Sequence, residues 1–234
     1  MNATAIIVAA GSGSRFGGAK QFAMLDGKPV YIWSIEIFES VKDVKKIILV
    51  LPPESLKEIA RRHKKDKKIL CVSGGKERFE SVAAGLKKLP TESGIVAIHD
   101  AARPLLSRRI IRLSLDAAAR YGAAVPVIKS GDTIKLTDQD GSFITRTIPR
   151  PQARLVQTPQ LFRREIILEA YSFLLKEKEQ GAVGKDPAAT DDSYFAEKLG
   201  VKVKAIDGDE NNFKITTPED LLRAELIIKR LRHK

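Results

Sequence analysis

The sequence predicts an α/β chain: a Rossmann-like, mostly parallel sheet flanked by helices, with one β-hairpin projecting from it as an arm. Three observations predict this. Short apolar runs alternate with amphipathic stretches through the first half of the chain, the order that parallel strands joined by crossover helices require. Those runs are apolar on both faces, as strands between two helix layers are. The alternation then breaks at two half-polar runs around Asp138-Gln139-Asp140-Gly141, and Asp-Gly between β-rich segments marks a hairpin.

Each element has its own reason. Thr4–Ala10 is a β-branched run that glycines end at once. No basic segment precedes it, so it reads as a strand and not as a secretory leader. Pro29–Ser40 carries Ile32, Ile35, Ile37 and Phe38 at helical spacing, and Lys45–Leu51 is a second strand. Pro53–His63 opens as a helix, with proline in the first turn and Glu54 at the positive end of the helix dipole. Lys68–Ser73, Gly94–His99 and Ala123–Ile128 read as strands, with helices at Glu77–Leu89 and Ser107–Tyr121. Asp132–Thr137 and Ser142–Ile148 form the hairpin, and their polar–apolar alternation makes it half-buried. A helix at Arg163–Lys178, a loop at Gly181–Ala189 and a short helix at Asp191–Leu199 follow. Val201–Ile206 and Phe213–Thr216 read as short strands. Thr217-Pro218-Glu219-Asp220 starts the last helix, which runs to about Arg232.

Composition limits the function. With 234 residues, 43% hydrophobic and 30% charged, the chain can bury one core and is not disordered. It reads as a single domain, 1–234, with the arm at about 131–153. One cysteine, Cys71, excludes a disulfide framework and a multi-cysteine zinc site. Three histidines leave little for a His-built site, so a metal would rest on oxygen ligands and substrate phosphates. The net charge of +12 invites anionic partners: nucleic acid, a membrane surface or phosphorylated metabolites. No apolar run approaches the ~20 residues that span a bilayer. The expectation is a soluble, cytoplasmic protein with no membrane partner.

Three patches stand at expected strand ends. The first, Ala9-Ala10-Gly11-Ser12-Gly13-Ser14-Arg15-Phe16-Gly17-Gly18-Ala19-Lys20-Gln21, follows the first strand. A glycine-rich turn there is a phosphate cradle, because its N–H groups converge on an anion. Its third glycine falls too late for a dinucleotide fingerprint, and no Gly-Lys-Ser/Thr follows as in a P-loop. Arg15 and Lys20 suit a triphosphate; the competing reading is a flexible loop with two solvated charges. The second, Gly74-Gly75-Lys76-Glu77-Arg78-Phe79-Glu80-Ser81, admits a base or a phosphate at a helix start, or is a plain turn. The third, His99-Asp100-Ala101-Ala102-Arg103-Pro104, closes a buried strand at the sheet's carboxyl edge. Asp100 suits a hydroxyl or Mg²⁺ and Arg103 a phosphate; a surface ion pair is the other reading. His99 reads as a satisfied, partly buried histidine and not as a catalyst.

Taken together, these patches resemble the 2-C-methyl-D-erythritol 4-phosphate cytidylyltransferase family. The resemblance continues in Asp132-Thr133, Thr158-Pro159-Gln160, Thr190-Asp191-Asp192 and Asn212-Phe213-Lys214-Ile215-Thr216, and so spans about Ala5 to Leu231. It implies that CTP and methylerythritol phosphate, with Mg²⁺ bound mainly through the CTP phosphates, give a CDP-linked alcohol and pyrophosphate. By position, Arg15 and Lys20 match the pair that stabilises the transition state. Ala10, Gly11 and Gly13 match the triphosphate loop, and Gly75 and Ser81 the cytosine and nucleotide contacts. Asp100, Ala101 and Arg103 match the floor of the site. Thr133 and Arg150 match arm residues that reach the polyol phosphate of the neighbouring subunit, in a homodimer with interlocked arms. Lys214 matches a residue that orients that phosphate, and Thr158 and Thr190 match further contacts. Three departures stand out. Lys76 sits where an acid or polar residue is frequent, and Asp192 where glutamate is common. Prolines flank Arg150, leaving Arg146 and Arg154 as competing arm cations.

The rival on the same fold is a ribitol 5-phosphate cytidylyltransferase; a sugar-1-phosphate nucleotidyltransferase fits less well. A different class is a basic nucleic-acid binder, from the runs Arg61–Lys68 and Lys229–Lys234. At 6% aromatics, and with no stacking motif beside the cations, that reading has little support, and no nucleic-acid partner is expected.

Overall fold

The computed structural model describes residues 2–179 and 190–232; the expected loop at 181–189 lies outside them. The elements are β1 (Ala3–Val8), β2 (Met24–Leu25), β3 (Lys28–Pro29), α1 (Val30–Glu39), β4 (Val44–Leu51), α2 (Pro53–Arg62), β5 (Ile69–Ser73), α3 (Arg78–Leu86), β6 (Ile95–Asp100), α4 (Arg108–Tyr121) and β7 (Ala123–Lys129). They continue with β8 (Lys135–Thr137), β9 (Ile144–Thr147), β10 (Arg154–Val156), β11 (Gln160–Arg163), α5 (Arg164–Glu179), α6 (Asp192–Lys198), β12 (Lys204–Asp207) and α7 (Pro218–Arg232).

The main sheet runs β10-β7-β11-β6-β1-β4-β5, with β12 on the free edge of β7. β1 pairs in parallel with β4 and β6, and β4 with β5. Period-two geometry splits each central strand between two cores. Ile7, Leu49 and Ala97 face α1, α2 and α4, where Tyr31, Phe38, Ile59 and Ile111 are buried. Ile6, Ile48, Val50 and Ile98 face α3, α5 and α6, among Val82, Leu86, Ile167, Leu174 and Phe195. A third, small core under α7 joins Leu25, Val30, Ile215, Ala224 and Ile228 to Phe16, Trp33 and Phe213. No helix among the described residues is long and apolar enough to cross a membrane.

Four features differ from the sequence expectations. β10 and β11 were not expected; both run antiparallel, β11 between β6 and β7 and β10 on the far part of β7. The strand expected at Val201–Ile206 is displaced to Lys204–Asp207, because Val201 and Val203 pack into the second core while 204–207 pair with β7. Phe213–Thr216 is not a strand: one backbone bond, Ile215 N–H to Ala102 O at 2.8 Å, fastens it, and Ile215 is buried in the third core. The hairpin is not half-buried. Every residue of β8 and β9 is exposed, since they pair only with each other and no helix covers them.

Candidate active site

The site lies at the carboxyl ends of β1, β5 and β6, where an open α/β sheet leaves its crevice. After β1 the chain turns through two short 3-10 helices, Ser14–Phe16 and Lys20–Phe22. Gly13 allows the turn with φ of +69°; a Cβ there would stand 1.8 Å from the Gly18 carbonyl oxygen, which accepts no such neighbour. The Gly13 oxygen accepts from Phe16 N at 2.9 Å and Gly18 N at 3.3 Å. Buried Gln21 donates to the Gly11 oxygen at 3.1 Å and ties the two arms of the loop. Arg15 and Lys20 thus ride on a folded loop.

β5 delivers Gly74-Gly75 beside it. A Cβ on Gly74 would fall 2.5 Å from that of Ala10 and 2.8 Å from Ser81 Oγ, so glycine permits the close approach of the first two patches. Gly75 N–H donates to Ser81 Oγ at 3.1 Å. Glu77 and Glu80 form a reciprocal capping box at the start of α3.

β6 supplies the floor. Asp100 accepts from Arg78 Nε at 3.0 Å on one oxygen and from Lys214 Nζ at 2.7 Å on the other. Arg78 also grips both oxygens of Asp192, at 3.0 and 2.7 Å, and the Tyr171 hydroxyl donates to Asp192 at 2.6 Å. Burial works to raise the Asp100 carboxyl, but Arg78 and Lys214 outweigh it and hold it far below the usual carboxylate range. Burial works to lower Arg78, and Asp192 and Asp100 reverse that, leaving it a permanent cation. Burial lowers the Lys20 ammonium, and the charges of Lys214 and Arg15 lower it further.

His99 is fully buried, and burial pulls its pKa down to about 3. Its Nε2 faces the Arg103 carbonyl at 3.3 Å, which only accepts, so Nε2 carries the proton and Nδ1 accepts. The Thr158 hydroxyl therefore donates to Nδ1 at 3.0 Å while its oxygen accepts Asp100 N–H at 3.1 Å. His99 is a neutral strut between two loops, its single ring N–H held against the Arg103 carbonyl. Arg103 is a strut as well: it donates to the carbonyls of Asn212 at 2.8 Å and Val156 at 3.4 Å.

Two cavities result. The first, about 420 Å³, is lined by Ala10, Gly11, Gly13, Arg15, Lys20, Gly75, Ser81, Asp100, Ala101 and Lys214, among others. The second, about 340 Å³, is lined by Arg103, Thr158 and Thr190 together with Gln157, Gln160 and Asp191. Arg78, Asp100 and Lys214 belong to both linings and form their common wall. Thr133 and Arg150 line neither; they meet each other at the base of the arm, Arg150 Nη2 to Thr133 Oγ1 at 3.2 Å.

Sequence reasoning quoted Arg78, Asp192 and Asn212 within their motifs but gave them no role, and it did not single out Tyr171 or Gln157. Arg78 and Asp192 are 114 residues apart, so no spacing reveals the pair. One signal was available: an arginine at a helix start opposes the dipole and needs anions to hold it. Asn212 and Gln157 fasten the loop before Lys214, through Asn212 Nδ2 to Thr158 O at 2.9 Å and Gln157 Nε2 to Asp209 O at 2.8 Å.

A cationic crevice with no side chain poised as a base among the described residues suits substrates that are already ionised. The comparisons with known proteins agree. Residues 3–230 match the 2-C-methyl-D-erythritol 4-phosphate cytidylyltransferase family. The protein of that name from Endomicrobium trichonymphae is 43% identical over 231 residues, covering 98% of this chain and 100% of its own. That from Caldanaerobacter subterraneus is 40% identical over 236 residues, with 98% and 100% covered. The 4-diphosphocytidyl-2C-methyl-D-erythritol synthase of Anaerococcus prevotii superposes with a TM-score of 0.83 at 31% identity, over 97% of this chain and 98% of that one. The Thermus thermophilus cytidylyltransferase gives 0.77 at 32% identity, over 98% and 100%. This chain belongs to the 2-C-methyl-D-erythritol 4-phosphate cytidylyltransferase family.

Proposed function

We propose that the chain transfers the cytidylyl group of CTP to 2-C-methyl-D-erythritol 4-phosphate, releasing pyrophosphate and forming the CDP-linked alcohol used for isoprenoid precursors. The observation that carries the mechanism is the wall of Arg78, Asp100 and Lys214 common to two cavities, one of them holding the Arg15–Lys20 loop. A triphosphate in the first cavity and a phosphate in the second meet across that wall.

The polyol phosphate oxygen attacks the α-phosphorus in line, and the bond from that phosphorus to the bridging oxygen of the β-phosphate breaks. The electron pair leaves with pyrophosphate. A phosphate nucleophile is ionised at neutral pH, so the step needs positioning and charge neutralisation more than a base. Arg15 and Lys20 meet the charge that grows on the α-phosphate and the leaving group. Gly11, Gly13 and Ala10 leave room for the triphosphate, and Gly75 and Ser81 border the base. Lys214 orients the incoming phosphate, with Arg103, Thr158 and Thr190 shaping its cavity and Ala101 the floor.

Mg²⁺ fits this lining only as a passenger on the phosphates. Among the described residues no three His, Cys, Asp or Glu side chains cluster as a cage. The two carboxylates in the first cavity, Glu77 and Asp100, are already engaged in the helix cap and the ion pairs. When bound, the ion neutralises phosphate charge as a Lewis acid.

Arg150 and Thr133 act in the neighbouring subunit of a homodimer. That they line neither cavity of their own chain supports this, as does the exposed arm that carries Phe143, 75% exposed, and Ile144, 65% exposed. The cytoplasm suits a chain whose one cysteine, Cys71, is a free thiol raised by burial above the usual thiol range.

The test is to identify products from CTP and Mg²⁺ offered methylerythritol 4-phosphate and ribitol 5-phosphate in parallel. A CDP-linked product from methylerythritol phosphate is expected. Product from ribitol phosphate alone would reassign the second substrate, and no nucleotide product from either would refute the activity.

A further inference from the structure

Arg78 occupies the first turn of α3, the positive end of the helix dipole, where a cation is disfavoured. Two carboxylates hold it there. Its Nη1–Nη2 fork is taken by Asp192, whose side chain is wholly buried, and its Nε by Asp100. Behind Asp192 stands the buried Tyr171, whose hydroxyl donates to the same carboxylate and which lines neither cavity. Four elements of the fold are thereby joined in one line, from α5 through α6 and α3 to the end of β6.

The far end of that line is Lys214. Asp100 has two oxygens: Arg78 Nε fixes Oδ1, and Oδ2 is left to take the Lys214 ammonium at 2.7 Å. Without Arg78 the carboxylate would be free to rotate, with Lys214 as its one remaining ion-pair partner among the described residues. The backbone on either side of Lys214 is pinned, by Asn212 to the Thr158 carbonyl and by Ile215 to the Ala102 carbonyl, and the Asp100 contact sets where the ammonium at the end of the side chain points.

We propose that Arg78, backed by Asp192 and Tyr171, is a positioning residue of the reaction: it fixes the Asp100 carboxylate in the rotation that aims Lys214 at the boundary between the two cavities. Asp192 keeps the guanidinium fork engaged from behind, so Arg78 orients Asp100 instead of turning wholly to the phosphates. The inference rests on the second cavity taking the polyol phosphate, and its test separates the two.

The variants are Arg78→Lys, which keeps the charge and loses the fork, and Tyr171→Phe, which removes only the hydroxyl at the far end. Lys214→Met serves as reference. For each, the KM for methylerythritol 4-phosphate, kcat, the Kd for CTP and the melting temperature are measured. In Arg78→Lys the polyol-phosphate KM should rise about tenfold or more and kcat fall by a similar factor, the scale of a misaligned reactant. CTP affinity should stay within about threefold. Tyr171→Phe should move the same two constants in the same direction by about threefold, and it decides the matter should Arg78→Lys not fold. A lower melting temperature with unchanged constants in both variants would make the line merely structural and overturn the proposal. So would an Arg78→Lys loss that falls equally on CTP, which would make Arg78 a direct phosphate ligand. If Lys214→Met raises the polyol-phosphate KM and neither other variant does, the Arg78 proposal fails alone. If Lys214→Met leaves that KM unchanged, the assignment of the second cavity fails and the proposal with it.

Discussion

Lowering the pH from 7.5 to 5 should remove about 2 kcal/mol of folding stability through His99 alone. The ring is fully buried between Thr158 and the Arg103 carbonyl, with Phe38 edge-on at 5.4 Å, and its pKa falls from an ordinary 6.5 to about 3. The unfolded chain therefore binds a proton on His99 below pH 6.5 that the folded chain refuses until about pH 3. Stability falls as pH drops through that window, because the unfolded state holds more protons there. From 6.5 to 5 the gap is about 1.5 pH units at roughly 1.36 kcal/mol each. The assay is denaturant unfolding at pH 7.5, 6.5 and 5 for the wild type and His99→Gln. Glutamine can accept from Thr158 and donate to Arg103 without titrating. The wild type should lose about 2 kcal/mol more than the variant over the range. Parallel losses would refute the neutral strut and reopen His99 as a proton carrier.

Further predictions follow from the same geometry. Arg15→Ala and Lys20→Ala should each cut kcat by roughly 10²–10³ with the melting temperature unchanged, the usual scale for losing one stabiliser of developing charge; near-normal turnover in both would remove them from that role. Gly13→Ala should raise the CTP Kd sharply while the sheet stays folded, because a Cβ 1.8 Å from the Gly18 oxygen forces the loop open; unchanged CTP binding, read by calorimetry, would contradict the loop geometry. Arg150→Ala should raise the methylerythritol-phosphate KM more than the CTP KM. Mixing it with Lys20→Ala should restore activity if arms work across a dimer, since a hybrid has one site with both residues intact; no restoration would place Arg150 in its own subunit's site.

Much of the fold was legible because its central strands are simple. β1, β4 from Ile47 onward and β6 as far as Ile98 are apolar or small-residue runs buried on both faces, and a period of two sends alternate residues to different helices. β10 and β11 were not legible, since Arg154–Val156 and Gln160–Arg163 are only three and four residues long and take their strand form from neighbours on β6 and β7. Phe213–Thr216 misled for the opposite reason: its apolar residues reflect packing under α7, not pairing. In the site, the glycine loop and the Asp100 turn could be read because backbone geometry demands small residues and strand ends face ligands. The Arg78–Asp192 pair could not, because a buried ion pair between distant segments leaves no local pattern. Arg103 was read as a phosphate contact from its place at the strand end and Thr158 as a ligand contact by resemblance, and the structure adds their backbone duties, which composition gives no hint of.

The central claim is that a phosphate seated across the Arg78–Asp100–Lys214 wall is the nucleophile that displaces pyrophosphate from CTP. The most direct measurement is pyrophosphate release from CTP and Mg²⁺ with methylerythritol 4-phosphate, with unphosphorylated methylerythritol, and with neither. One pyrophosphate per CDP-linked alcohol formed, with the phosphorylated polyol alone, is the predicted result. Comparable release with the bare alcohol or with no second substrate would mean that a hydroxyl or water attacks instead, and would contradict the account.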